Sequence, residues 1–331
     1  MIVPSNTAIN KTNKLKNLLL SSINSIVLII IIVLTLIFFS IRSNDFLSLS
    51  NSITILGSIS TIGIVCIGQT LLLISGDFDL SVGSIAALAG VILAKILELY
   101  EVVDIGRSFL IILLVIIVGG IISLLTGVII TKIGVNALIT TIAVLSIVYG
   151  ISLIITKSNY ITIVSPFFTK LGGGVIGNII PISTVILIIL YIGFYILLKK
   201  TVFGRYIYAI GNNKTAAKYA GINVSKIRIL LFMISGITTS IGGIILASKL
   251  TNAQAIFAQN YNLMSITACV IGGCVLTGGR GGMVGSLLGA SFLVILRNGL
   301  SMIGLSQYIQ DLVTGILLII AIYISESSSG R

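Results

Sequence analysis

Long apolar runs separated by short polar breaks set the pattern of this chain. A run of about 20 apolar residues, rising 1.5 Å per residue as a helix, covers the ~30 Å hydrocarbon core of a bilayer. Such runs fall near residues 23–41, 51–75, 108–130, 136–155, 181–198, 229–248, 263–277, 283–297 and 307–325. A further run follows a polar break at residues 76–84 and continues to about residue 97. The pattern predicts an all-α, polytopic transmembrane bundle of about ten spans with Gly-rich broken helices. Residues 23–325 form its single membrane domain, between polar tails at 1–22 and 326–331. The run after residue 84 is short for a full crossing unless the break lies partly within the membrane. Irregular backbone at that depth must be buried in protein or face a water-filled cavity.

The polar intervals differ in charge. Residues 199–228 read KKTVFGRYIYAIGNNKTAAKYAGINVSKIR, with seven cations and no acid. Cation-rich loops stay on the cytoplasmic side. Counting six crossings from a cytoplasmic N-terminus brings the chain to that side at Lys199, so span parity and charge agree. The interval 98–107 carries Glu98, Glu101 and Asp104 against Arg107, and 156–180 contains Pro166 and three consecutive glycines. Both read as external loops, as does the polar but nearly uncharged 249–262. Residues 1–22 are too polar and too long for the n-region of a cleaved signal, and read as a cytoplasmic tail.

Within the basic loop, Ala216, Ala217 and Ala220 are strong helix formers and Gly221 is a natural stop. A helix of about two turns over 213–221 follows, beginning at Asn213. It either fits a groove of a partner protein or rests on anionic lipid, with Tyr219 and the lysines at the headgroups.

Composition removes most other function classes. The chain is 56% hydrophobic and 8% charged, against the ~25% charge of soluble domains. Its net charge of +12 is spread over loops without interleaved aromatics, so it is topogenic and does not point to nucleic acid. There is no His, and Cys66, Cys269 and Cys274 lie within apolar runs at spacings that suit no metal. No catalytic constellation, P-loop or cofactor motif is present, so the chain is not expected to be an enzyme, to bind a cofactor or metal, or to hydrolyse ATP itself. Arg280, between glycines, reads as a cation at a span end.

Asp77 and Asp79, in GDFDLSVGS, are the only acids placed to act within the membrane. They either cap the next helix or contact a permeating solute, with Ser81 and Ser84 beside them. A weak repeat points to a second break. Val82-Gly83-Ser84 recurs as Val284-Gly285-Ser286, and VCIG at 65–68 can be set against CVIG at 269–272. Paired interrupted segments mark solute paths in transporters, so Gly272 and Gly273 join the candidate path, both breaks lining one central cavity. Energy comes either from a partner or from an ion gradient, the second making the chain an ion-coupled secondary transporter or facilitator.

Three stretches resemble one family. FGRYIYAIGNNKTAAKYAGINVSKIRI (203–229), GDFDLSVGS (76–84) and GGCVLTGGRGGMVGSLLGA (272–290) are similar to the cytoplasmic loop, the G-x-D-L-S-V-G-S segment and the C-terminal Gly-rich block of permeases of bacterial ATP-binding-cassette sugar importers, the ribose permease group in particular. The resemblance runs from about residue 45 to 322. It implies the importer permease fold in the bacterial inner membrane, a homodimer or a heterodimer with a second permease, a cytoplasmic ATPase and an extracytoplasmic sugar-binding protein. It also implies that the loop helix enters the ATPase, with Asn213, Ala216, Ala217, Ala220 and Gly221 at the coupling contact. Asn136, in VNALITTI, falls where the family places a residue near the path. Two departures stand out. Thr215 replaces an acid that often precedes the alanines, and NYNLMSI puts Asn262 and Met264 where the family usually has carboxylates.

Overall fold

The structure, a computed structural model, describes residues 25–100 and 104–327; the N-terminal tail, Glu101 and most of the C-terminal tail lie outside these. The apolar helices are α1 (Ser25–Arg42), α2 (Leu49–Ser75), α3 (Val82–Leu99), α4 (Ile105–Val128, continued by a π-turn, Ile129–Ile133), α5 (Ala137–Thr156), α7 (Ile182–Lys200), α10 (Val224–Leu250), α11 (Tyr261–Ile271), α12 (Met283–Met302) and α13 (Gln307–Ser327). These ten fall where ten spans were expected, in an all-helical bundle. Eight are long and apolar enough to cross a membrane; α11, with 11 residues, is one of the two shorter ones. Its run was expected to reach residue 277, but the helix stops at Ile271, where Gly272 and Gly273 turn the backbone.

Helix α2 is the axis. It carries no charged residue, its polar side chains are scattered and not gathered on one face, and residues 59–75 are continuously buried. A helix with no polar face belongs in an interior. Helices α7, α10, α11 and α12 pack around it, and α10 also carries α3 and α4. The outer helices α1, α4, α5 and α7 expose Ile, Leu, Val and Phe side chains in long arrays, the surface that lipid covers. Small residues let the inner helices touch at backbone distance, as is usual where hydrophobicity cannot drive association. Gly68 of α2 meets Ser235 of α10, Gly119 of α4 meets Ser240, Gly243 meets Ala86 of α3, and Gly289 of α12 meets Ala268 of α11.

The contacts also set relative depth. Going from one end of α2 to the other, Asp77 lies by Arg228, Gly68 by Ser235, Val65 by Gly242 and Gly57 by Lys249. Helix α3 starts higher, with Ala86 against Gly243 and Gly90 against Ala247. Val82 therefore enters about 16 Å above Arg228 along α10. The irregular stretch 77–81 makes that climb within the bundle, at the ~3.3 Å per residue of extended chain.

A second irregular stretch descends from the other end. The interval 249–262 is not simply an external loop. Residues 252–253 (β4) pair antiparallel with 161–162 (β1), and Ala253 and Ala255 are buried. Helix α11 then starts with Tyr261 bonded to Thr61 in the middle of α2. This second stretch reaches the first turn of α3, where Gly83 lies against the carbonyls of Ala258 and Gln259.

The interval 156–180 is more ordered than a plain loop. It holds a short helix, α6 (Pro166–Gly173), with Pro166 in its first turn, and a two-stranded ribbon of β2 (Val175–Ile176) and β3 (Ile180–Pro181). Proline suits a helix start because its missing N–H has no intrahelical partner there.

Backbone-distance packing between α2 and α10 leads to a paired prediction. Gly68→Leu forces these helices apart and should lower the thermal midpoint in detergent by several degrees, for an overpacking cost of about 1–3 kcal/mol. Gly150→Leu on α5, where an added Cβ meets nothing within 4 Å, should leave the midpoint within a degree or two.

Candidate functional site

The interval 199–228 contains two helices, where one was expected. Helix α8 (Val202–Asn212) is capped by Thr201, whose hydroxyl accepts from the Gly204 N–H at 3.2 Å, and buries Gly204, Ile207 and Ile210. Helix α9 (Lys214–Tyr219) is six residues long, shorter than the expected two turns. Asn213 caps it, its Oδ1 accepting from Ala216 N at 2.9 Å. At the far end Gly221 adopts φ +82°, the Gly221 N–H reaches Lys218 O and the Ile222 N–H reaches Ala217 O. That pair of bonds is a Schellman stop, which requires the left-handed region that glycine enters freely. Ala217 is buried, while Lys214, Ala216, Lys218, Tyr219, Ala220 and Gly221 are exposed. Tyr219, 88% exposed, is the most prominent apolar side chain of the loop.

The α8–α9 turn closes on both Gly-rich breaks. Gly211 sits against Ile74 O and Gly279 N, so closely that any Cβ there would collide with backbone. Gly279 N donates to Ile74 O at 2.8 Å, and Tyr208 Oη donates to Gly281 O at 2.8 Å. Burial, with a smaller contribution from Cys274, pushes the Tyr208 phenol up to about 12, so it remains a donor at physiological pH.

Asp77 ties this junction together. Its carboxylate accepts two hydrogen bonds at 2.7 Å from Arg228, at the start of α10, in fork geometry. Lys214 of α9 lies 3.6 Å from the same carboxylate and donates to Gly76 O at 3.4 Å. Asp77 is 3% exposed and Arg228 16%. The junction thus links α9, the base of α10 and the end of α2 through one carboxylate.

Asp79 is fully buried, and its Oδ1 accepts from the N–H and hydroxyl of Ser81 at 2.8 and 2.5 Å just before α3. Ser84 is buried in the first turn of α3. Gly272 lies against Gly285, at the turn between α11 and α12. Gly273 follows it with φ +91°. Asn136 stands apart from these. It is exposed and caps α5, its Oδ1 accepting from Leu138 N at 2.8 Å.

The two halves of the repeat pack on each other. Cys66 Sγ lies 3.9 Å from Ser265 O, Cys269 Sγ 3.7 Å from Cys66 O, and Thr70 Oγ1 3.4 Å from Cys269 Sγ. Each VGS follows its break, one opening α3 and the other lying in the first turn of α12. Among the described residues no cluster of side chains suits a metal ion.

Neither the Asp77–Arg228 pair nor the Tyr208–Gly281 bond is apparent from the sequence. An unbalanced acid two residues from a span end, facing a loop of cations, was the available signal for the first.

The residues that build this junction fall inside a family match. Residues 51–322 match the model for the permease component of branched-chain amino acid transport systems. The chain belongs to that permease family. Among its relatives, the ribose import permease of Haemophilus influenzae is 33% identical over 287 residues, covering 86% of this chain and 87% of that protein. The L-arabinose transport system permease of Escherichia coli K12 is 36% identical over 270 residues, covering 80% and 79%. A probable ABC transporter permease of the same strain is 34% identical over 313 residues, covering 94% and 92%. No solved structure matches the chain. The permease is therefore an integral membrane transport component and not an enzyme.

Removing one partner of a buried ion pair costs about 3–5 kcal/mol, because the other charge stays buried alone. Asp77→Ala should lower the thermal midpoint markedly, and adding Arg228→Met should restore part of the loss. A double-mutant cycle showing no coupling between positions 77 and 228 would contradict the pairing.

Proposed function

We propose that the permease is the membrane subunit of an ATP-driven importer for a monosaccharide, in the bacterial inner membrane, with ribose as the first candidate solute. It works with a cytoplasmic ATPase and an extracytoplasmic solute-binding protein, and pairs with a second permease chain. The observation that carries this reading is the exposed helix α9, joined through Lys214, Asp77 and Arg228 to the broken centre of the bundle. The names of the relatives, ribose and L-arabinose permeases, support the solute class.

Residues 199–228 are read as cytoplasmic, because this interval carries seven cations and no acid. ATP closes the motor subunits on α9. The surface of Ala216, Ala220 and Gly221, free of bulk, seats the helix in the ATPase, while Asn213 and Ala217 hold it on the permease. The load passes to α10 through Arg228 and to the stretch 77–81 through Asp77. That stretch and the glycine loop at 279–281 move together, because Asp77 is tied to Lys214 of α9 while Gly211 and Tyr208 of α8 hold Gly279 and Gly281, and the bundle alternates between its two sides. Asp79, Ser81 and Ser84 lie beyond the load-bearing carboxylate, nearer the solute. Asn136, on the outer helix α5, serves the α4–α5 turn.

Two tests follow. Solute uptake by right-side-out vesicles should require internal ATP and survive collapse of the proton gradient; uptake lost with the gradient and indifferent to ATP would make the permease an ion-coupled carrier. Ala216 lies on the exposed face of α9 in ordinary helical backbone. Ala216→Leu should therefore cut ATP-driven uptake at least tenfold while its level in the membrane stays within twofold of wild type. Unchanged uptake would remove α9 from the coupling path.

A further inference from the structure

Gln69 is the largest neutral polar side chain inside α2, and it is 0% exposed. Neither its Oε1 nor its Nε2 has a hydrogen-bond partner among the described residues. A buried, unpaired amide is costly to keep, and α2 is otherwise satisfied by apolar packing and by hydroxyls that bond their own backbone. Helical register says where Gln69 lies. Thr61, Val65 and Gly68 form the stripe of α2 against α10. Cys66 and Thr70 form the stripe against α11. Turning ~100° per residue puts Gln69 between the two stripes. That sector is bounded by α10 and α11, and α3 packs on both, its first turns lying against α10 at Ala86 and Gly243.

Other unpaired polar atoms come from the elements that bound the same sector. Asp79, three residues before α3, uses Oδ1 for Ser81 and leaves Oδ2 without a partner. Ser235, whose backbone meets Gly68, and Thr239, one turn along α10, each have an unpartnered, buried hydroxyl. The set therefore offers donors at Gln69 Nε2, Ser235 and Thr239, and acceptors at Gln69 Oε1 and Asp79 Oδ2. Hydroxyl groups, each both donor and acceptor, match such a mixture. The set has no cation to balance an anion or to receive the carboxylate of an amino acid.

We propose that Gln69, Asp79, Ser235 and Thr239 form a solute-contact site for a neutral polyhydroxylated molecule at the start of α3, closed in this conformation and opened when the stretch 77–81 moves. The proposal rests on the importer reading and locates the solute within it. Asp77, two residues from Asp79, is the point at which the junction controls the site.

The test uses the host strain with the allele replaced at its own locus, and uptake of radiolabelled D-ribose, L-arabinose and leucine. Gln69→Leu is close to isosteric and deletes the unpaired amide. It should lower the maximal rate of sugar uptake at least tenfold and leave the half-saturating concentration, set by the binding protein, unchanged. The thermal midpoint of the purified variant should stay level or rise, since an unsatisfied buried group is gone. Thr239→Val should lower the rate in the same direction by a smaller factor. A rate unchanged in Gln69→Leu, or one that falls only together with the thermal midpoint, would overturn the site. If the wild type imports leucine and neither sugar, the importer reading for sugars falls with it; if the wild type imports a sugar, the variants decide the site alone.

Discussion

Backbone that leaves a helix inside a bilayer must find its hydrogen bonds within the protein. The bundle is arranged around meeting that demand twice. One irregular stretch rises from the basic end to Val82, the other descends from the opposite end to Tyr261, and each is walled in by α2 and α10. Glycine and serine at the α2–α10 and α3–α10 contacts bring those walls to backbone distance. Without that closeness the irregular stretches would face lipid, and neither α3 nor α11 could begin within the membrane. The short length of α11 follows from the same arrangement, since the chain before it has already covered part of the crossing.

At the basic end, the demand is met by tying rather than by burying. Asp77 cannot sit uncompensated at the edge of hydrocarbon, and Arg228 and Lys214 reach it from two directions. The result is a rigid link between a surface helix and a broken core segment. A force applied to α9 has a short route inward, because Gly211 rests on Ile74 and Gly279 without any side chain between them. A compliant contact would absorb such a movement; backbone on backbone and a forked ion pair do not.

Much of this was legible in the sequence. Ten apolar runs announced ten helices, and GDFDLSVGS announced a break because two carboxylates interrupt an apolar run. The stop at Gly221 could be read from glycine after helix formers. What stayed hidden depends on contacts between distant segments. Helix α8 is the exception: Thr201 as a cap and Phe203, Ile207 and Ile210 at helical spacing mark it locally, within an interval read as loop for its cations. The stretch 252–260 reads as an external loop because it is polar, and only its packing on α3 draws it inward. Gln69 was not singled out in the sequence, because its lack of a partner is a property of the folded interior.

The central claim is that α9 faces the compartment that holds ATP and passes its movement to the core through Asp77. Its sidedness can be read directly. The three native cysteines are buried, so a cysteine introduced by Lys218→Cys on exposed α9 can be probed with a membrane-impermeant maleimide. The account predicts labelling in inside-out vesicles and none in intact cells. Labelling in intact cells would put α9 on the wrong face of the membrane and contradict the account at its base.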